Sequence, residues 1–353
     1  VSTITLHEIQ RRIADRHPVH EVSLAGVSLA GAQLAGGVFL RVDFSGADLS
    51  GADFTQATLT ECRFDGAQLR QSQWRIATVH RCRFARAGLE QVQGVGATFS
   101  ECAFDSARMT GAQLELANFA KCRMSQASLQ GADLRQVGWL ECELDGGDFS
   151  GALLERTVFH RADLRRAQLG PAPQAWQCVF TECDLSGMAL PGSRFERCQF
   201  MEAKLAGCDL SQALLDGSNF KGADVRQANF AGSRATQSLW VQAVADGARF
   251  DAARLTQSVW MDASAVQASF RGAWLEESVL QRLRAARADF DGATLRYADL
   301  SHADLSGARF EGAVIERASL RGAQCDQAWR LRREQAAPDD ADHAAAEAWQ
   351  PML

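Results

Sequence analysis

The chain has 353 residues, 46% of them hydrophobic and 23% charged, with 37 basic against 43 acidic side chains for a formal charge of −6. The apolar fraction is enough to bury a core, and the near-balance of charge excludes both a strongly basic nucleic-acid binder and an acidic tail protein. No run of 18 apolar residues and no charged segment leading into an apolar one occurs, so neither a membrane span nor a secretory signal is read, and a cytoplasmic location is the expectation.

Residues 1–21 open with Thr5-Leu6-His7-Glu8, the pattern of a capping box, followed by Leu6, Ile9 and Ile13 on one helical face. A short helix is predicted here, covering the open first turn of the region that begins at residue 22. From residue 22 a different rule takes over. Stepping by five from Leu24 meets Leu29, Leu34, Phe39, Phe44, Leu49 and Phe54, and the series continues to Leu169 with Gly94 as its only non-hydrophobic member. A second series in the same step runs from Phe180 to Cys325, and all 19 phenylalanines of the chain fall on these two series.

Two residues before each of these centres stands a small residue, as in Ala47-Asp48-Leu49 and Ala228-Asn229-Phe230. A period of five fits neither the 3.6 of a helix nor the 2 of a strand. It fits a coil that turns a corner every five residues, with the centre and the small residue inward and the other three outward. Cys62, Cys82, Cys102, Cys122 and Cys142 recur at intervals of 20, so four walls make one turn. The spacing gives about 15 coils for the whole chain.

These residues resemble the pentapeptide-repeat proteins, whose A(D/N)LXX repeats form an all-β, right-handed quadrilateral parallel β-helix. The resemblance covers roughly residues 22 to 330. The predicted organisation is a capping helix in 1–21, one half of the β-helix over 22–169 and a second over 180–330. Between them Leu169 and Phe180 are 11 apart rather than 10, so a Pro-containing loop or bulge is expected at 170–179, read either as an insertion tolerated at a corner or as a binding loop displaying Trp176. After residue 330 the pattern dissolves, and 331–353 is read as a mobile or partly helical tail. Gly94, one turn above Trp74, is expected to leave room for that larger ring.

The residues offer little chemistry. Nine of the ten cysteines occupy the inward small site, no pair has metal-like C-x-x-C spacing, and His80 and His160 are four turns apart. No glycine-rich phosphate loop or nucleophile elbow stands outside the repeats. Neither an enzyme nor a cofactor or metal is therefore expected, and function is sought on the outward residues. On the wall of Phe220, Trp240, Trp260 and Leu280, the outward neighbours Leu239, Val241, Val259, Met261 and Val279 form an apolar patch, with Trp274 outward on the preceding wall. Outward positions elsewhere read as mainly polar. A contiguous apolar surface on a polar coil marks a protein interface, for a foreign partner or a second copy of the chain, with no direct nucleic acid and no membrane involved.

The resemblance implies two functions. One branch of the family accompanies type VI secretion. The opening Leu6-His7-Glu8-Ile9, the Leu-Ala-Gly repeats from Ser23 and Cys-x-Phe repeats such as Glu61-Cys62-Arg63-Phe64 resemble it, implying a non-catalytic adaptor for a secreted effector or spike component. Another branch protects DNA gyrase by imitating duplex DNA. That alternative requires dense acidic walls, whereas Arg63, Arg83, Arg86, Arg123, Arg165 and Arg166 share a wall with Asp43, Asp65 and Asp145.

Overall fold

In the computed structural model, which describes residues 4–326 and 336–337, the five-residue rule is explained by a complete accounting of backbone donors. Residues 44–48 show it. Phe44 N–H donates to Arg63 O of the next turn at 2.7 Å, Gly46 N–H to Asp65 O at 2.9 Å, and Asp48 N–H to Val27 O of the previous turn at 3.0 Å. Ala47 N–H closes the corner on Phe44 O at 3.0 Å, and the remaining donor, Ser45 N–H, is taken by the Asp43 carboxylate at 3.0 Å. All five N–H groups are satisfied, as buried and half-buried backbone demands. The Asp or Asn before the centre is thus a turn residue whose side chain caps the donor two residues on. Asp48, Asp133, Asp209 and Asn229 repeat the contact.

The second residue after each centre must turn with positive φ. Gly46 does so at +64° without steric cost, but Gln, Arg and Glu fill many of the equivalent corners, as at Gln56 with +57°. Inward, the centres and small residues are almost all buried in both halves of the chain. Identical rings stack turn on turn. Phe44, Phe64, Phe84 and Phe104 lie 4.7, 4.8 and 4.7 Å apart, and Phe230, Phe250 and Phe270 lie 4.9 and 5.1 Å apart.

The protein is an all-parallel β-solenoid with one short N-terminal helix, α1, spanning Leu6–Ala14. The strands are β1 (Val19–His20), β2 (Val38–Leu40), β3 (Thr58–Thr60), β4 (Thr78–His80), β5 (Thr98–Ser100), β6 (Asn118–Ala120), β7 (Gly138–Leu140), β8 (Leu154–Glu155), β9 (Val158–His160), β10 (Gln174–Trp176), β11 (Val179–Thr181) and β12 (Arg194–Glu196). The chain divides into two compact units after Leu185. In the first, β1 to β7, β9 and β11 form one nine-stranded sheet and so count nine turns. In the second, successive turns pair almost wholly through single-residue bridges, such as Ala189 to Asp209 to Asn229 to Arg249. The nine turns counted by strands are fewer than the roughly 15 coils predicted, because strands count only the turns of the first unit.

The N-terminal helix is where it was expected, and its Thr5 Oγ1 accepts from Glu8 N–H at 3.2 Å. Only Ile9 of its apolar face is buried. The coil begins earlier than residue 22, because Val19 already pairs with Phe39. Val19 stands five residues before Leu24, so it obeys the same step.

The structure separates the two alternatives at 170–179, in favour of the corner insertion, and corrects one further expectation. Residues 170–179 do not form a loop: Gln174–Trp176 is a strand, Ala175 is a buried centre paired with Leu154, and Pro173 is buried at the small site. The additional residue is absorbed in the corner ahead of Pro173, where Gly170 and Ala172 both take positive φ of +76° and +46°. The two prolines are tolerated because neither stands in a paired strand position. The space at Gly94 is not left to Trp74. A Cβ there would lie 2.8 Å from Leu114 Cδ2, so the side chain of the next turn fills it. The tail predicted at 331–353 lies outside the described residues except for Ala336 and Ala337.

All ten cysteines are free thiols; nine are buried and Cys325 is half-buried. Burial pushes the Cys183 thiol up to about 12. Since the thiolate is the nucleophile, a polar thiol reagent at pH 8 is expected to label Cys325 first and the other nine only on unfolding. Titration of the native chain that finds several thiols reacting as fast as Cys325 would contradict this.

Candidate functional site

The inward positions being filled by hydrocarbon, small residues and satisfied backbone, what varies is outside. On one wall of the second unit, Leu239, Val259 and Val279 are direct ladder neighbours in three successive turns. The strand-like backbone that places Trp240 and Trp260 inward sends these residues outward. Val241 and Met261 come directly after the two tryptophans on the same wall. Leu239 is 39% exposed, and Val241, Val259, Met261 and Val279 are half-buried.

Polar groups frame this strip on every side. The ladder continues to Asn219 at one end and Asp299 at the other. Along one corner, Gln237 Nε2 donates to Gln257 Oε1 at 2.9 Å and Gln257 Nε2 to Glu277 Oε2 at 2.9 Å. Along the other, Arg282 pairs with Asp262 at 2.6 Å. Burial raises the Asp299 carboxyl, but hydrogen bonds from Ser301 and Gln281 outweigh it and hold the group below its ordinary value. The strip is thus an apolar centre inside a charged and amide rim.

The other two candidates are placed differently. Trp274 is 47% exposed on the preceding wall, between Arg254 and Thr294, and the Arg254 guanidinium lies 4.7 Å above its ring. It sits across the Gln237–Gln257–Glu277 column from the strip. Trp176 belongs to the first unit, on β10 beside Glu155, with Arg156 at 5.9 Å from its ring. Both rings are partly covered by a cation, which stabilises an exposed aromatic without a partner.

Three features were not read from the sequence. Tyr297 is 52% exposed at the corner next to Asp299, with Arg317 at 5.7 Å from its ring, and its position two residues after Leu295 was the available signal. The apolar strip is not the only exposed hydrocarbon among the described residues. Ile76 and Leu116 are 61% and 49% exposed at corner positions but are separated by Gly96, and Leu140 and Val158 are diagonal rather than direct neighbours. The 239–259–279 column differs in having no gap.

The third feature is electrostatic. The residue immediately after each strand of the nine-stranded sheet forms a corner column of strictly alternating sign: Glu21, Arg41, Glu61, Arg81, Glu101, Lys121, Glu141, Arg161 and Glu182. All nine have φ between 51° and 56°. Arg81 meets Glu101 at 2.8 Å, and Arg161 meets Glu182 at 2.8 Å and Glu141 at 3.7 Å. Hydrogen bonds from Arg81 and Arg161 are the main reason the Glu101 and Glu182 carboxyls lie below their ordinary range. The neighbouring wall is compensated as well, with Arg83 on Asp65 at 3.1 Å, Arg123 on Asp105 at 2.6 Å and Arg165 on Asp163 at 2.6 Å.

Among the described residues there is no group of three or more His, Cys, Asp or Glu placed to hold a metal ion, and no helix is long and apolar enough to cross a membrane.

Two family models match the sequence. One, described as a pentapeptide repeat region, covers residues 96–169 and 176–250. The other, pentapeptide repeats in eight copies, covers 23–60, 38–73 and 286–322. No curated protein matches the chain. Among solved structures, trypsin-treated QnrB1, a plasmid-mediated fluoroquinolone resistance protein, is 24% identical over 52% of this chain and 99% of its own, with a TM-score of 0.29. HetL, involved in heterocyst differentiation regulation in the cyanobacterium Nostoc sp. strain PCC 7120, is 23% identical over 91% of this chain and 98% of its own, with a TM-score of 0.18.

Proposed function

Since the chain belongs to the pentapeptide-repeat family, we propose that it is a non-catalytic, cytoplasmic scaffold that binds another protein through the Leu239–Val259–Val279 strip. One observation carries this reading: three exposed or half-buried aliphatic residues stack without interruption on a wall whose two corners and two ends are polar. Leu239, Val259 and Val279 supply the contact centre, Val241 and Met261 widen it, and the Gln and Asp–Arg corners set its limits. Trp274, beyond the Gln column, extends the contact for a partner broad enough to cross the corner.

The adaptor role in type VI secretion, with an effector or spike component as partner, is the specific form of this reading that the opening segment and the Cys-x-Phe repeats support. The DNA-mimic alternative is disfavoured by the charge pattern. A mimic needs a sustained negative potential, whereas the corner column of the first unit alternates in sign and the arginines of the adjacent wall sit on its aspartates.

The test is affinity capture from native lysate with the intact chain and with a Val259→Glu/Met261→Lys double variant, read by mass spectrometry. Both positions point outward, so the variant is expected to fold while placing two charges in the middle of the strip. Recovery of a secreted effector or spike component by the parent chain alone is the expected result. Equal recovery by both, with unchanged oligomer mass, removes the strip as the binding surface, and recovery of topoisomerase subunits reverses the ranking of the two functions.

A further inference from the structure

A solenoid that simply stopped would leave the hydrocarbon of its last turn open to water. The described ladder ends with Thr294 on Val314, Asp299 on Ser319 and Asp304 on Gln324. No described turn lies beyond Phe310, Ile315 and Leu320. Yet these three centres are only 5%, 1% and 4% exposed, and Ala318 is fully buried. These centres are therefore shielded where the described coil has ended, and the shield needs a source.

The backbone identifies what supplies it. In the regular coil the carbonyl of the small residue accepts from the next turn, as Ala298 O accepts Ser319 N–H at 2.9 Å. Ala318 O is the corresponding acceptor on the last turn, and it is taken by Ala337 N–H at 3.0 Å. Ala337 thus occupies a ladder position without any five-residue repeat around it.

We propose that the segment carrying Ala336 and Ala337 is an intramolecular cap, holding the edge on which a second copy of the chain would otherwise continue the ladder. A parallel edge with open carbonyls and an apolar end is a template for pairing with another chain, so its occupant decides whether the end is closed or adhesive. Here the described occupant is Ala337 of the same chain. This surface is separate from the Leu239–Val259–Val279 strip, and its fate does not depend on that strip binding a partner.

Two variants test the cap: the chain ended at residue 330, and full-length Ala337→Pro, which lacks the N–H donor. Without the cap, mass measured by light scattering is expected to rise with protein concentration. Hydrogen exchange at Ser319 and Gln324 is expected to accelerate about tenfold or more, and Cys325 to be labelled faster. Added peptide of residues 331–353 is expected to reverse these changes. Ala337→Pro is expected to give smaller changes in the same direction. Should the truncated chain not fold, exchange at Ser319 and Gln324 in Ala337→Pro decides alone. Unchanged mass, exchange and labelling in the truncated chain, or unchanged exchange in Ala337→Pro, would overturn the cap.

Discussion

Trp260→Ala is expected to lower the stability of the second unit by about 3–5 kcal/mol, among the largest losses available to a single substitution in this chain. The ring is fully buried, stacks on Trp240 at 4.7 Å, and meets Phe250 and Phe270 edge-on at 5.1 and 5.6 Å. Its Nε1 donates to Ser258 Oγ at 2.9 Å, so truncation leaves a cavity and an orphaned hydroxyl together. Trp74 and Trp240 use Ser72 and Ser238 in the same way, at 2.8 and 2.7 Å. Trp139 does not, because Val137 stands where the serine would be, and its Nε1 is buried without a partner among the described residues. Trp139→Phe is therefore expected to change stability by less than about 1 kcal/mol, since removal of an unsatisfied donor offsets the lost ring area. Urea unfolding monitored by circular dichroism separates the two cases. Equal losses for Trp260→Phe and Trp139→Phe would show that the serine contact contributes nothing.

Ala253→Asp is expected to cost about 3–5 kcal/mol at neutral pH, because Ala253 is fully buried at an inward small site. The introduced carboxyl faces hydrocarbon, and the adjacent Ala253 backbone groups are already engaged, N–H to Phe250 O and O to Trp274 N–H. Burial raises its folded-state pKa above the unfolded value of about 3.9. The charge-dependent part of the loss is accordingly absent below that value, grows by about 1.4 kcal/mol per pH unit as pH rises through the window, and levels off above the raised pKa. Thermal midpoints of parent and variant between pH 3 and 8 check the slope. A difference independent of pH would mean that the site reaches water.

The inward register was legible because burial repeats it in every turn, and one step of five exposes it whether the centre is Leu, Phe or Trp. Val19 obeyed the same step and could have been included, whereas the corner at 170–172 could not have been placed. Its geometry depends on two positive-φ positions close together and on Pro173 fitting a site that elsewhere holds mostly Ala, Cys or Ser. The apolar strip was legible as a column of outward residues. What covers Trp274 was not, since the reach of the Arg254 guanidinium is a matter of side-chain conformation rather than spacing. The corner charges were visible at intervals of 20, but they acquire meaning only once the second residue after each centre is known to form a stacked column. Likewise, the role of Asp before a centre emerges only from tracing every N–H to its acceptor.

The alternating corner column also constrains how the first unit can change length. Each interior member is flanked on both sides by the opposite sign, and the order survives the one-residue offset between Arg161 and Glu182. Duplicating or deleting a single turn would bring two like charges face to face, while a change of two turns restores every contact. The column thus behaves as a parity check on the coil, one that admits growth in steps of two turns and marks an odd step at the seam where it occurs.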